Sequence, residues 1–275
     1  MRKSFVLTLI FLLATQIVAV IVAPSFLELG FSAFEDPDVS TNVLALFLIF
    51  PIALVIMVLL LRRNRKRTIN ALLLFAIFLA MTSTFYVLLE PLGAVVSVCV
   101  SPILSTALVY FMTKKKNWLI ADACGFVLAV GVTAMLGISL TPELMAVLLI
   151  VLAAYDAVSV YVTKHMVSMA EGVIDLSLPV ILVFPESRDF KVENRDPEGE
   201  PTAFFLGLGD IVLPSSYVVS LSTFSDPRIA LFAAAGTIVG AVALLIATMK
   251  TRANAGLPFL CSFAIVFSLI GYALV

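Results

Sequence analysis

Apolar residues run on for about 20 positions at a time, again and again, along this chain, and that recurrence limits what it can fold into. Wound as a helix, a run of that length matches the roughly 30 Å hydrocarbon core of a bilayer. A spanning β-barrel instead needs short segments that alternate apolar with polar residues, and these Leu-, Ala- and Val-rich runs lack that alternation. The chain is 62% hydrophobic and 13% charged, which excludes an ordinary soluble domain. The sequence therefore predicts an all-α, polytopic membrane protein.

Hydropathy places nine transmembrane helices at about 4–24, 42–61, 70–89, 93–112, 118–139, 142–163, 203–223, 229–249 and 256–275. The thinnest break is the third, where Glu90, Pro91 and Gly93 suit a tight reversal. Loop charge tests the count, because cytoplasmic loops hold the excess of Lys and Arg. One side receives Arg2 and Lys3, the cluster from Arg62 to Arg67, Lys114 to Lys116, Lys164 with Arg188, Lys191 and Arg195, and finally Lys250 and Arg252. The other side receives Glu28, Glu35, Asp36, Asp38, Glu90, Glu143 and Asp226, with Arg228 as its one base among 17. This alternation predicts a cytoplasmic amino terminus and an external carboxyl terminus. The first apolar run exceeds the 7–15 residues of a signal-peptide core, so it is expected to remain as a helix.

The reading is of one membrane-embedded domain over 1–275: six spans in 1–163, a polar cytoplasmic loop over 164–202, and three spans in 203–275. Within the loop, Leu178 to Phe184 is too short to cross and rich in β-branched residues, so it reads as a strand or a membrane-surface segment. Cys99, Cys124 and Cys261 lie far apart in apolar segments and read as buried small hydrophobes. His165 is the only histidine, so a histidine-based zinc site or a Ser–His pair has almost nothing to draw on, and no metal or other cofactor is expected. Nucleic acid is not an expected partner, since the basic residues sit in short loops.

Three acids, Asp122, Asp156 and Asp210, fall inside apolar segments. A charged group at membrane depth costs roughly 2.5–3.5 kcal/mol on insertion scales, so each needs a cause. Asp122 has an ordinary one, because it sits near the cytoplasmic start of its span, where a helix amino end favours an anion. Asp156 and Asp210 do not. The sixth span approaches the cytoplasm and the seventh leaves it, and each acid is about seven residues from that surface, or roughly 10 Å at 1.5 Å per residue. Consecutive antiparallel helices thus bring the two carboxyls to one level.

Two adjacent carboxyls in a low-dielectric setting tend to hold one proton between them. An aspartic protease works from that state: one member takes a proton from the attacking water while the other donates to the developing oxyanion. Gly207, Leu208 and Gly209 precede Asp210, and glycines there allow close approach of a backbone. Ala153 and Ala157 bracket Asp156 as a small-xxx-small helix face. Tyr155 reads either as a hydroxyl that orients the acid or substrate, or as a core aromatic.

These residues resemble a known family. Tyr155-Asp156 in a sixth span, Gly207-Leu208-Gly209-Asp210 in a seventh and Pro258-Phe259-Leu260 at the start of a ninth are similar to the motifs of intramembrane aspartyl proteases of the presenilin and signal peptide peptidase type. The third motif departs from the usual Pro-Ala-Leu, and Pro258 is also ordinary in a first helical turn. The resemblance implies an endopeptidase that cuts transmembrane helices of other membrane proteins, with Asp156 and Asp210 as the catalytic pair. The cytoplasmic amino terminus is similar to the presenilin side, which implies substrates whose own span has its amino terminus outside. The resemblance also implies that an extended substrate pairs with a strand at the loop, with Val180 to Phe184 as an edge. A loop of about 40 residues, short for a presenilin, points to a compact microbial enzyme of the plasma membrane, acting without obligatory subunits, alone or as a homo-oligomer. The rival reading is a proton- or cation-coupled transporter or channel using the same acids. A structural scaffold leaves the matched depth unexplained.

Overall fold

The computed structural model describes residues 2–46, 48, 49, 52, 66–114, 118–163, 181–186, 203–250 and 254–275. Eight long helices have defined ends: α1 (Arg2–Glu28), α2 (Lys66–Leu89), α3 (Ala94–Lys114), α4 (Trp118–Gly137), α5 (Pro142–Val158), α6 (Leu208–Phe224), α7 (Pro227–Lys250) and α8 (Gly256–Leu274). Residues 41–46, 48, 49 and 52 are also helical, and the rest of the expected second span lies outside the described residues. Seven helices among the described residues are long and apolar enough to cross a membrane. The short break after α2 is a 3-10 turn, Glu90–Leu92, closed by Gly93 at φ 111°, a conformation that favours glycine.

Side chains on α1, α2 and α3 carry many of the exposed large hydrophobics, including Ile10, Ile21, Phe75, Val95 and Ile103, as an outer surface bathed in lipid requires. Lipid is as apolar as leucine, so burial alone gives helices little reason to associate, and close packing and interhelical hydrogen bonds decide the arrangement. α6 is the centre: it packs against α1, α4, α5, α7 and α8 and is buried nearly all round from Ile211 to Leu221. Gln16 of α1 donates to Thr237 of α7 at 2.6 Å, Tyr217 of α6 meets Ser268 of α8 at 2.8 Å, and the Ser220 hydroxyl donates to the Leu140 carbonyl at 2.6 Å. α7 meets α8 through Gly236 and Gly240, where an added Cβ would stand 2.4 Å from the Phe263 carbonyl oxygen and 2.7 Å from that of Phe259. Only glycine permits that approach.

The seventh span differs from expectation. Residues 203–207 are not helical: Ala203–Gly207 forms strand β2, antiparallel to β1 (Ile181–Pro185), with Val183 opposite Phe205 and Ile181 opposite Gly207. A short apolar run does not distinguish helix from strand by periodicity, and here aromatic residues facing a β-rich partner decide for the strand. β1 overlaps the segment read as a possible strand, Leu178 to Phe184, and runs one residue past it; residues 178–180 fall outside the described residues. Leu182, Phe184, Leu206, Leu208, Ile211 and Leu260 share one buried cluster, which seats the strand pair on the ends of α6 and α8. α1 begins earlier and ends later than read, and Cys99 is exposed, not buried like Cys124 and Cys261. Cys99 lies on α3, whose outward face is apolar surface.

Candidate active site

Asp156 stands near the end of α5, just before the helix widens into a π-turn at Ser159–Thr163. Asp210 is the third residue of α6, immediately after β2. The helix therefore starts beside the acid, where the hydropathy reading had put several helical residues ahead of it. From Asp210 to Phe224 is 14 residues, about 21 Å of helix at 1.5 Å per residue, and β2 leads directly into that helix.

The beginning of α8 joins the two acids. Its preceding residue, Ala255, supplies no side-chain cap, so the first N–H groups of the helix need an acceptor. Asp156 supplies it: Leu257 N–H donates to Asp156 Oδ2 at 3.2 Å, and Gly256 N–H is directed to the same carboxylate. Asp210 lies against the other face of Gly256, so close that an added Cβ there would be 2.8 Å from both Cγ and Oδ2. The Gly207 N–H is directed to Asp210, and the two carboxylates lie within electrostatic reach of each other. Asp156 is 6% exposed and Asp210 is partly buried. One turn below, Cys261 is fully buried within reach of both charges.

The other residues singled out in the sequence divide. Gly207 is tight, with an added Cβ 3.2 Å from Asp210 Oδ2, whereas nothing stands within 4 Å of one at Gly209. Leu208 and Leu260 are buried in the cluster beneath the strands, and Phe259 packs against it. Pro258 is the third residue of α8, where a missing N–H costs little. Tyr155 is 63% exposed, so it is not a core aromatic. Asp122 is 7% exposed and not at an aqueous surface; its Oδ1 accepts the Val183 N–H of β1 at 3.0 Å. Sequence reasoning missed Gly256 and Leu257, although a glycine at the very start of the ninth span, level with two acids, was a usable signal.

A site of two carboxylates bridged by a helix amino end is found in a protein whose sequence matches the family described as signal-peptide peptidase, presenilin aspartyl protease, over residues 8–275. The chain belongs to that family. Among solved structures it is similar to a presenilin family intramembrane aspartate protease in space group C222, with 28% identity and a TM-score of 0.77 over 98% of this chain and 99% of that one. A presenilin family intramembrane aspartate protease in space group P2 matches at 31% identity and TM-score 0.74 over 97% of this chain and 96% of the other. A search of curated protein sequences returns no match. The chain is therefore an integral, multi-pass membrane enzyme, a peptidase of the intramembrane aspartate class, and the transporter reading is set aside.

Proposed function

We propose that Asp156 and Asp210 are the catalytic pair and hydrolyse peptide bonds within transmembrane helices of substrate proteins. The observation that carries this is the first turn of α8, whose Gly256 and Leu257 backbone touches both carboxylates and holds α5 and α6 at one level. With one proton on the pair, the ionised member takes a proton from water as that water attacks the scissile carbonyl, and the protonated member donates to the forming oxyanion. The roles then exchange as the tetrahedral species releases the amine. Gly209 leaves open space beside Asp210 for an extended peptide.

Substrate pairing follows from the strands. Along a strand successive N–H groups point to opposite edges. The Val183 N–H is taken by Asp122, so the outer edge of β1 is occupied at its centre. An incoming strand adds at the β2 side, adjoining Asp210, and not along the Val180 to Phe184 edge that the sequence offers.

The same reading has nine spans, a cytoplasmic amino terminus, one functional domain over 1–275, a plasma-membrane location in a microbe, and action without obligatory subunits. The test is cleavage of a membrane-embedded peptide by purified protein in detergent. Asp156→Asn and Asp210→Asn each abolish cleavage; full activity in either overturns the paired mechanism.

A further inference from the structure

A third carboxylate is buried away from the pair, and the proposed hydrolysis does not use it. Asp122 lies in the first half of α4, with its Oδ1 accepting from the backbone of Val183 at 3.0 Å. A carboxyl inside an apolar segment is costly, and helix-end stabilisation does not explain a side chain that reaches across to a different element. What it reaches is the middle residue of β1.

From that bond a short path leads to the chemistry. Val183 lies opposite Phe205 in β2, and Asp210 follows Phe205 by five positions. Because the Val183 N–H points to Asp122, Leu182 and Phe184 are the residues of β1 that exchange backbone bonds with Leu206 and Phe204. The strand is gripped elsewhere as well: the Phe11 and Phe184 rings meet edge-on at 5.6 Å, and the Ser4 hydroxyl donates to Glu186 at 3.3 Å. Those contacts fix its face and its end. Among the described residues the Asp122 bond acts on its outer edge at the centre, and a ladder's alignment is set one residue at a time.

We infer that Asp122 is a positioning residue for proteolysis: by holding the Val183 N–H it fixes the alignment of the β1–β2 pair relative to Asp210, and thereby which substrate peptide bond reaches the acids. This rests on the protease reading and on strand addition at β2. Asp122 touches no reacting atom. Its part is to set the register of the template, so its loss shows as imprecise cutting as well as slower cutting.

The experiment uses the full chain in detergent, a membrane-embedded peptide, and mass spectrometry of every fragment, with Asp210→Asn alongside. If the wild type does not cleave, the protease reading itself fails; the inference is judged where the wild type cleaves and Asp210→Asn does not. Asp122→Ala removes the hydrogen bond to the Val183 N–H and lowers kcat/KM by about tenfold or more, with products spreading to neighbouring bonds. Asp122→Asn keeps an oxygen that accepts the same N–H, and it stays within about threefold of wild type with wild-type products. Wild-type products and rate from Asp122→Ala overturn the inference. So does an Asn variant as impaired as the Ala variant, since charge rather than the backbone bond would then matter. If Asp122→Ala fails to fold, Asp122→Ser, too short to make the bond, replaces it and is judged on the same fragments.

Discussion

Replacing Gly256 with alanine tests whether the start of α8 sets the geometry of the acids. The new methyl group would lie 2.8 Å from Asp210 Cγ and Oδ2 and 3.0 Å from Oδ1. Ordinary contact begins at 3.4 Å, so the shortfall is 3.4 − 2.8 = 0.6 Å. α8 has little room to retreat, because it packs so closely on Gly240 of α7 that an added Cβ there would be 2.7 Å from the Phe259 carbonyl oxygen and 3.1 Å from Leu260 Cα. Cγ is itself the crowded atom and is one bond from Cβ, so the aspartate has no flexible stem with which to swing clear. The carboxylate must therefore shift by several tenths of an ångström, at an overpacking cost of about 1–3 kcal/mol. Because a misplacement near 1 Å lowers rates by about 10²-fold, a shift of this size predicts a kcat reduced by roughly 10- to 100-fold. The assay is kcat on a membrane-embedded peptide together with thermal unfolding of the same preparation. Wild-type kcat from Gly256→Ala would refute the idea that this backbone contact positions the pair.

Gly209→Ala makes the complementary prediction: with nothing within 4 Å of the added methyl, its unfolding midpoint stays at the wild-type value while cleavage falls, because the open space is taken up by substrate. Gly236→Val drives a side chain into the Phe263 carbonyl and destabilises the α7–α8 pair by about 1–3 kcal/mol, seen as a lower unfolding midpoint. Gln16→Leu removes the bond to Thr237 at a cost of about 0.5–1.5 kcal/mol, since the Thr237 hydroxyl keeps its bond to the Ala234 carbonyl, and the loss is less than additive with that of Thr237→Val; strictly additive losses would refute the pairing. Single cysteines at Lys3 and Val275 are modified from opposite sides of sealed vesicles, with Lys3 on the cytoplasmic side; modification from the same side refutes the proposed orientation.

That Asp156 and Asp210 meet was legible in the sequence because charge inside an apolar run is rare and expensive, so position alone singled out the two acids. Glu90, Pro91 and Gly93 marked a turn for an equally local reason, backbone chemistry that a helix does not tolerate. What escaped the sequence is set by tertiary contact. Gly256 looks like any glycine until Asp210 is placed against it, and Ala203 to Gly207 looks like the opening of a helix until β1 lies beside it. Tyr155 was legible as a motif residue but not as an outward-facing one, since one step along a helix turns a side chain about 100°. Asp122 lies where the sequence puts it, near the start of its helix, but a plausible local stabiliser, the helix amino end, concealed a distant partner.

The brevity of α6 has a further consequence. Its 17 residues cover about 25 Å, short of a hydrocarbon core of roughly 30 Å, and the residues just ahead of it, Ala203–Gly207, form an extended strand. Extended backbone at that level persists only where protein or solvent meets its polar groups. The shortfall thus places strand backbone, with hydrogen-bonding groups that a helix would keep to itself, directly beside Asp210.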